Sequence, residues 1–258
     1  MRKFYIIVAM KRNLTYLAAL AIAITITANS SATPADSTGN KQKQLESLAI
    51  YHQAIKYNDM GTAASALTSY LYAGGNESYQ DSLAIVYYNL NNLNGAYKLA
   101  NELFAANNKN TTALTLLADI SGRGGETKIS LEWYEKLCAL SPSAYNFYQL
   151  GSKQFVLERK MECRQSLLKV VADSADATKQ AVSLEVSNGY FEQVPVLAAA
   201  YNMLGVLAFQ EKKTEEAAIF YSKALAIAPN FVIGKQNLDA LKPGAAKTGP
   251  KTAAKGKG

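Results

Sequence analysis

Small residues recur at one spacing along this chain, and that recurrence limits the fold more than any other feature. The stretch YNMLGVLAFQEKKTEEAAIFYSKALAIAP, residues 201–229, carries Tyr201, Leu204, Gly205, Ala208, Ala217, Tyr221, Ala224 and Pro229. Windows of 34 residues place comparable residues upstream: Leu117, Ala118, Ser130, Tyr134 and Pro142; then Leu83, Ala84, Ala96 and Ala100; then Ile50, Tyr51, Ala63 and Leu67. Leu150–Gly151 repeats the Leu204–Gly205 pair. Two antiparallel helices joined by a short turn need small residues where their axes come closest. Gly205 and Ala217 allow that approach, Ala224 admits the next helix, and a larger side chain at any of them costs about 1–3 kcal/mol in overpacking. Pro229 cannot continue a helix and ends the second one. A bundle needs no period; a period of this length makes a stacked array in which each unit buries its apolar face against the next.

The pattern of an aromatic, Leu-Gly, spaced alanines and a closing proline resembles the tetratricopeptide repeat, over residues 44–231 as five repeats. Residues 201–229 follow it closely; elsewhere Ser130 stands where alanine is usual, and Gly75 or Asn108 where proline is usual. The resemblance implies an all-α, right-handed superhelical solenoid of five helix pairs. It further implies a concave groove, lined by the first helix of each pair, that binds peptide segments or helices of partner proteins. The register then assigns His52 to the groove from repeat one, Asp81, Tyr88 and Asn89 from repeat two, and Arg123 with Thr115 and Asp119 from repeat three. Tyr148, Ser152 and Phe155 follow from repeat four, and Asn202 and Phe209 from repeat five. Gly151, Gly205, Ala217, Ala224 and Pro229 are assigned structural roles. Family members that clamp a terminal carboxylate use lysine, arginine and asparagine where this chain has Leu48, Asp81, Thr115 and Tyr148, so that clamp is not expected.

Pro142 and Pro229 lie too far apart for whole periods, which requires an insert near residues 178–197. There Val182, Leu184 and Val186 alternate, Asn188–Gly189 suits a two-residue turn, and Tyr190 to Val194 favours strand. A protruding hairpin is expected in preference to an irregular loop or longer helices, although a simple register sets Glu185 against Glu192. Residues 230–241 carry Phe231, Ile233, Leu238 and Leu241 on one helical face, as a helix capping the open end of an array would.

The ends differ from the middle. Residues 10–32 have a basic start, an uncharged run from Leu14 to Ala28, and Ser30 and Ala32 spaced like a cleavage site. That run is short of the ~20 residues needed to span a membrane, so residues 1–32 read as a signal peptide and the protein as exported, to a periplasm or beyond. A linker is expected over 33–43, and residues 242–258, lysine-rich and without large apolar residues, as a disordered tail. Four of the 27 basic residues precede residue 33 and five follow residue 241, leaving 18 against 20 acidic, a net charge of −2. A nucleic-acid-binding domain would need a basic face of its own, so no specific nucleic-acid partner is expected. The tail allows weak contact with an anionic polymer or membrane surface, which supports the alternative of an envelope-attached adaptor.

No catalytic, metal or cofactor site assembles from the residues. His52 has no second imidazole near it in sequence, and Gly122 to Gly125 lack the Gly-Lys-Ser/Thr of a phosphate loop and read as an inter-helix turn. Cys138 and Cys163 are offset by eight or nine residues between equivalent helices, about 12–13 Å along the axis at ~1.5 Å per residue. A bridge needs Cα atoms within about 7 Å, so two free, buried thiols are expected. The function expected is therefore a non-catalytic scaffold that binds a protein or peptide partner.

Overall fold

A computed structural model describes residues 34–187 and 189–242, with helices α1 (Pro34–Lys56) to α8 (Lys160–Ala172) arranged as four successive pairs. The pairs are α1 with α2 (Met60–Tyr72), α3 (Tyr79–Asn89) with α4 (Leu93–Ala106), α5 (Thr111–Arg123) with α6 (Thr127–Leu140), and α7 (Ala144–Val156) with α8. A short helix α9 (Ser174–Lys179) and strands β1 (Ala181–Ser187) and β2 (Tyr190–Pro195) interrupt the period. The fifth pair is α10 (Val196–Gln210) and α11 (Thr214–Ile227), followed by α12 (Val232–Asp239). The expected signal peptide, and all but Lys242 of the expected tail, lie outside the described residues.

Each pair turns in the same way. The second residue after every first helix takes a left-handed backbone: Asn58, Asn91, Gly125, Glu158 and Lys212, at φ 58°, 59°, 79°, 60° and 62°. The next N–H then reaches back to the helix, from Asp59 to Ala54, Asn92 to Tyr87, Glu126 to Ser121, Arg159 to Gln154 and Lys213 to Ala208, at 2.8–2.9 Å. This closure satisfies carbonyls that a helix end otherwise leaves open. In the first two pairs the following helix is also capped by a side chain, Asp59 on the Thr62 N–H and Asn92 on the Gly95 N–H.

The close approaches fall where the small residues are. Ala63, Ala96, Ser130, Ala217 and Ala224 are fully buried, and Ser130 donates to the Ala118 carbonyl of its partner helix at 2.7 Å. A Cβ on Gly205 would stand 2.4 Å from the Tyr221 ring, so the fifth pair packs ring against backbone. At Gly151 the same construction meets Leu167 at a looser 3.3 Å. The first helices α3 and α5, and α7 and α10, also touch, whereas successive second helices make no comparable contact. The array therefore curves with its first helices on the inner side.

Three boundaries differ from expectation. The linker placed at 33–43 is helical from Pro34, whose fixed φ suits a first helical position; Gln42 bonds Glu46 one turn on, and Gln44 donates to the Ala73 carbonyl beyond α2. The insert begins at Ser174, ahead of residue 178, because α9 precedes the strands. The hairpin forms with a bulge between Glu185 and Ser187, which sets Glu185 opposite Phe191 and Leu184 opposite Glu192. That extra residue removes the expected pairing of Glu185 with Glu192. Freed from it, Glu192 accepts a hydrogen bond from the Val232 N–H at 3.0 Å, at the start of α12.

Despite the insert, repeats four and five pack directly. Val182, Leu184 and Val194 from the hairpin join Tyr148, Cys163, Leu167, Val196 and Leu204 in one core. Arg164 on α8 pairs with Glu211 at 3.0 Å and Glu216 at 3.2 Å across the α10–α11 turn. Cys138 and Cys163 are free and buried, and burial holds both thiols up at about 12.

Candidate functional site

The inner face is polar and aromatic at its centre, and that character comes from three consecutive repeats. Tyr88 from α3 lies half-buried beneath Arg123 from α5, the guanidinium 5.5 Å from the ring centroid. Arg123 also donates to Asn91 Oδ1 at 2.8 Å, which holds it across the two repeats. One turn back on α5, Asp119 accepts a hydrogen bond from the Tyr134 hydroxyl of α6. Lys153 from α7 reaches towards the same place, its ammonium 6.0 Å from the Tyr134 ring centroid. Gly122 makes room for it, since a Cβ there would stand 3.3 Å from Lys153 Nζ.

Burial governs the protonation of this cluster. Desolvation raises the Asp119 carboxyl above its ordinary range, against the Tyr134 hydrogen bond and the charges of Lys153 and Arg123. Desolvation lowers the Lys153 ammonium, which Asp119 partly offsets. Tyr88, Tyr134 and Tyr145 are all pushed up, by burial first and then by the Asp119 charge. Two cations around one carboxylate whose charged form burial disfavours leave a site that favours an anionic or hydrogen-bonding visitor.

Beside this cluster the hairpin forms a wall. A cavity of about 440 Å³ lies between α7 and the hairpin, lined by Tyr145, Tyr148, Gln149, Ser152 and Lys153 on one side and by Ala181 to Leu184 of β1 with Gln193 of β2 on the other. A shallower hollow of about 220 Å³ runs between α3 and α5, at Ile85, Thr111 and Thr115.

Of the residues assigned to the groove from sequence, Tyr88 and Arg123 meet in this cluster. His52 is exposed on α1, its ring 5.2 Å from that of Tyr51. Asp81 is half-buried and accepts from Asn110 Nδ2 at 2.8 Å, a bond between repeats; Asn89 is exposed at the end of α3. Phe209 is half-buried against Val206, Ala217 and Tyr221. Two assignments are corrected. Tyr148 is 5 % exposed, covered by the hairpin and α10, and Asn202 is 5 % exposed, its Oδ1 accepting from Asn237 Nδ2 of α12 at 2.8 Å. Both are core, because elements outside the period pack over the positions that the period makes concave.

Tyr145, Gln149 and Lys153 were not singled out from the sequence. Lys153 follows Ser152, the residue equivalent to Asp119 in the next repeat, so a lysine one step from the expected lining was the available signal. Among the described residues no three His, Cys, Asp or Glu side chains gather as metal ligands, and no helix is long and apolar enough to cross a membrane.

Residues 198–231 match the tetratricopeptide repeat family model. No curated protein matches the chain. Among solved structures, MamA from Desulfovibrio magneticus RS-1 superposes with a TM-score of 0.59 at 14% identity, covering 74% of this chain and 97% of that one. A second MamA structure is 21% identical, with a TM-score of 0.51, over 62% of this chain and 82% of its own. YrrB, described as a tetratricopeptide protein with an unusual peptide-binding site, gives a TM-score of 0.57 at 15% identity, covering 77% of this chain and 93% of that one. At these identities the likeness establishes the fold, a tetratricopeptide solenoid of five pairs.

Proposed function

We propose that this chain is a non-catalytic, exported scaffold whose concave groove holds a peptide segment or helix of a partner protein. The observation that carries the reading is the cluster of Tyr88, Arg123, Asp119 and Lys153, which gathers hydrogen-bonding and aromatic groups from three repeats on the inner face. Aromatic and arginine side chains are the groups that most often dominate interfaces. The groove reading is also the one that a tetratricopeptide array with a likeness to a peptide-binding protein favours. Export is supported by the basic start, uncharged run and small residues of 10–32.

Site-specific crosslinking tests this function. A benzophenone side chain at Asn89 or His52, on the inner face, should trap a defined partner from the envelope fraction, while one at Glu132, exposed on α6, should not. Tyr88→Ala with Arg123→Ala should then reduce trapping about tenfold or more, as loss of a hot-spot pair does. Equal trapping from both faces, or no effect of the double variant, would refute the groove. Intact Met1 or Met10 on the cytosolic protein would refute export.

A further inference from the structure

The cavity between α7 and the hairpin touches Ala181, Val182, Ser183 and Leu184, four consecutive residues of β1. Side chains alternate across a strand, so a surface that meets all four takes in the strand's edge, and it also reaches Gln193 of β2, the cross-strand partner of Ser183. Strand β2 occupies the other edge, and the sheet has two strands, so among the described residues the cavity-side edge has no pairing strand.

The register says which groups that edge presents. Val196 N–H donates to the Gln180 carbonyl at 2.9 Å. Hydrogen-bonded pairs alternate in an antiparallel ladder, so Val182–Val194 and Leu184–Glu192 are bonded pairs, while Ala181–Pro195 and Ser183–Gln193 are not. The N–H and C=O of Ala181 and Ser183 therefore point outwards, towards the cavity. Edges are usually blunted by charge or proline. The outer edge of β2 is blunted, with Pro195 lacking a donor at an outward position; β1 carries neither device at Ala181 or Ser183.

Opposite this edge stands Lys153, whose ammonium has no ion pair among the described residues. It is the one charged side chain in the cavity's lining, so the cavity complements an anionic group. We infer that the hairpin is a docking edge: an extended peptide adds a third strand along β1 and places an acidic side chain against Lys153. The inference rests on the groove reading and gives its occupant a conformation and a charge. The chain's own lysine-rich end, residues 242–258, is a poor occupant, because it would set like charge against Lys153.

Fluorescence anisotropy with the full chain tests this. The probes are labelled hexapeptides of alternating valine and threonine, with one glutamate moved through each position, and the glutamine and lysine counterparts. In at least one register the glutamate peptide should bind about tenfold more tightly than its glutamine counterpart, within the range of a charge-assisted hydrogen bond. Lys153→Gln should erase that preference. Ser183→Pro removes an outward N–H without breaking a bond to β2, so it should abolish binding of all the peptides while circular dichroism stays unchanged. Hydrogen exchange at the Ala181 and Ser183 amides of the wild-type chain should slow on binding, a readout independent of either variant's folding. No preference for glutamate, binding that survives Ser183→Pro, or unprotected amides would overturn the inference. Absence of any peptide binding would overturn it too, yet leave the groove to its own crosslinking test.

Discussion

Glu192, on the second strand of the insert, accepts the N–H of Val232, the first residue of α12. It is the only side chain found to cap that helix among the described residues, since Phe231 at the cap position offers none. A carboxylate there also meets the positive end of the helix. The insert and the terminal helix, both departures from the period, are thus tied to each other.

Glu192→Ala should cost about 0.5–2 kcal/mol, the range for losing a helix cap. The loss should be local, with amides of Gln236 and Leu238 exchanging faster while those of α5 do not change. Glu192→Gln should recover part of it, keeping an acceptor without the charge. Uniform acceleration across the array would show that the contact is not a cap.

The fifth pair is predicted to be intolerant at Gly205. Even alanine there must displace the Tyr221 ring from 2.4 Å, so Gly205→Ala should destabilise by about 1–3 kcal/mol. Gly151→Ala meets the Leu167 side chain at 3.3–3.4 Å and the Ser166 Cβ at 3.5 Å, contacts that a small shift of Leu167 relieves, and should be neutral or stabilising by up to about 1 kcal/mol from helix propensity. Thermal melts of the two variants decide it; similar losses would mean that the pairs are equally close.

Two turns carry a correctable strain. Lys212 and Glu158 take the left-handed backbone that Asn58, Asn91 and Gly125 fill more comfortably. Lys212→Gly and Glu158→Gly should each stabilise by about 0.5–1 kcal/mol, the relief of side-chain strain less the entropy of glycine. Chemical denaturation measures this, and a loss at either position would mean that the side chain contributes more than its backbone costs.

Tyr148 and Asn202 show where the period stops being a guide. The helix pairs, their small contact residues and the terminal helix were legible because each depends on neighbours that the repeat itself supplies. Exposure was not, because it depends on whatever else packs nearby: the hairpin covers Tyr148 and α12 covers Asn202. The bulge was hidden for a similar reason, since Glu192 settles its register against α12 rather than within the hairpin. Lys153 escaped notice because alignment weighs equivalent positions, while a long side chain acts one step away from its own. Tyr148→Ala should accordingly behave as a core truncation, costing about 3–5 kcal/mol as large aromatics do, and Asn202→Ala about 1–3 kcal/mol for a lost buried hydrogen bond. Circular dichroism melts in which either variant matched wild type would return that residue to the groove.

The last prediction concerns pH. Asp119 has its carboxyl raised from an ordinary 3.8, chiefly by burial. Between that value and its folded value the native state holds more protons than the unfolded chain, so its contribution to stability falls as pH rises through the folded value. Other carboxylates act in the opposite sense: Glu211 is held low by Lys213 and Arg164, and Glu162 by Arg159, so their contributions are lost on acidification. A single profile of the wild type mixes the two, and a comparison with Asp119→Asn separates them. Asparagine keeps an oxygen for the Tyr134 hydroxyl and cannot ionise. The variant should therefore gain stability relative to wild type as pH rises from about 3 to 7, with the difference levelling off once Asp119 is ionised in the folded protein. Melting temperatures of both proteins across that range measure it. A difference that is flat, or that favours wild type increasingly at higher pH, would show that Lys153 and Arg123 outweigh burial and that the groove centre holds a stabilised carboxylate.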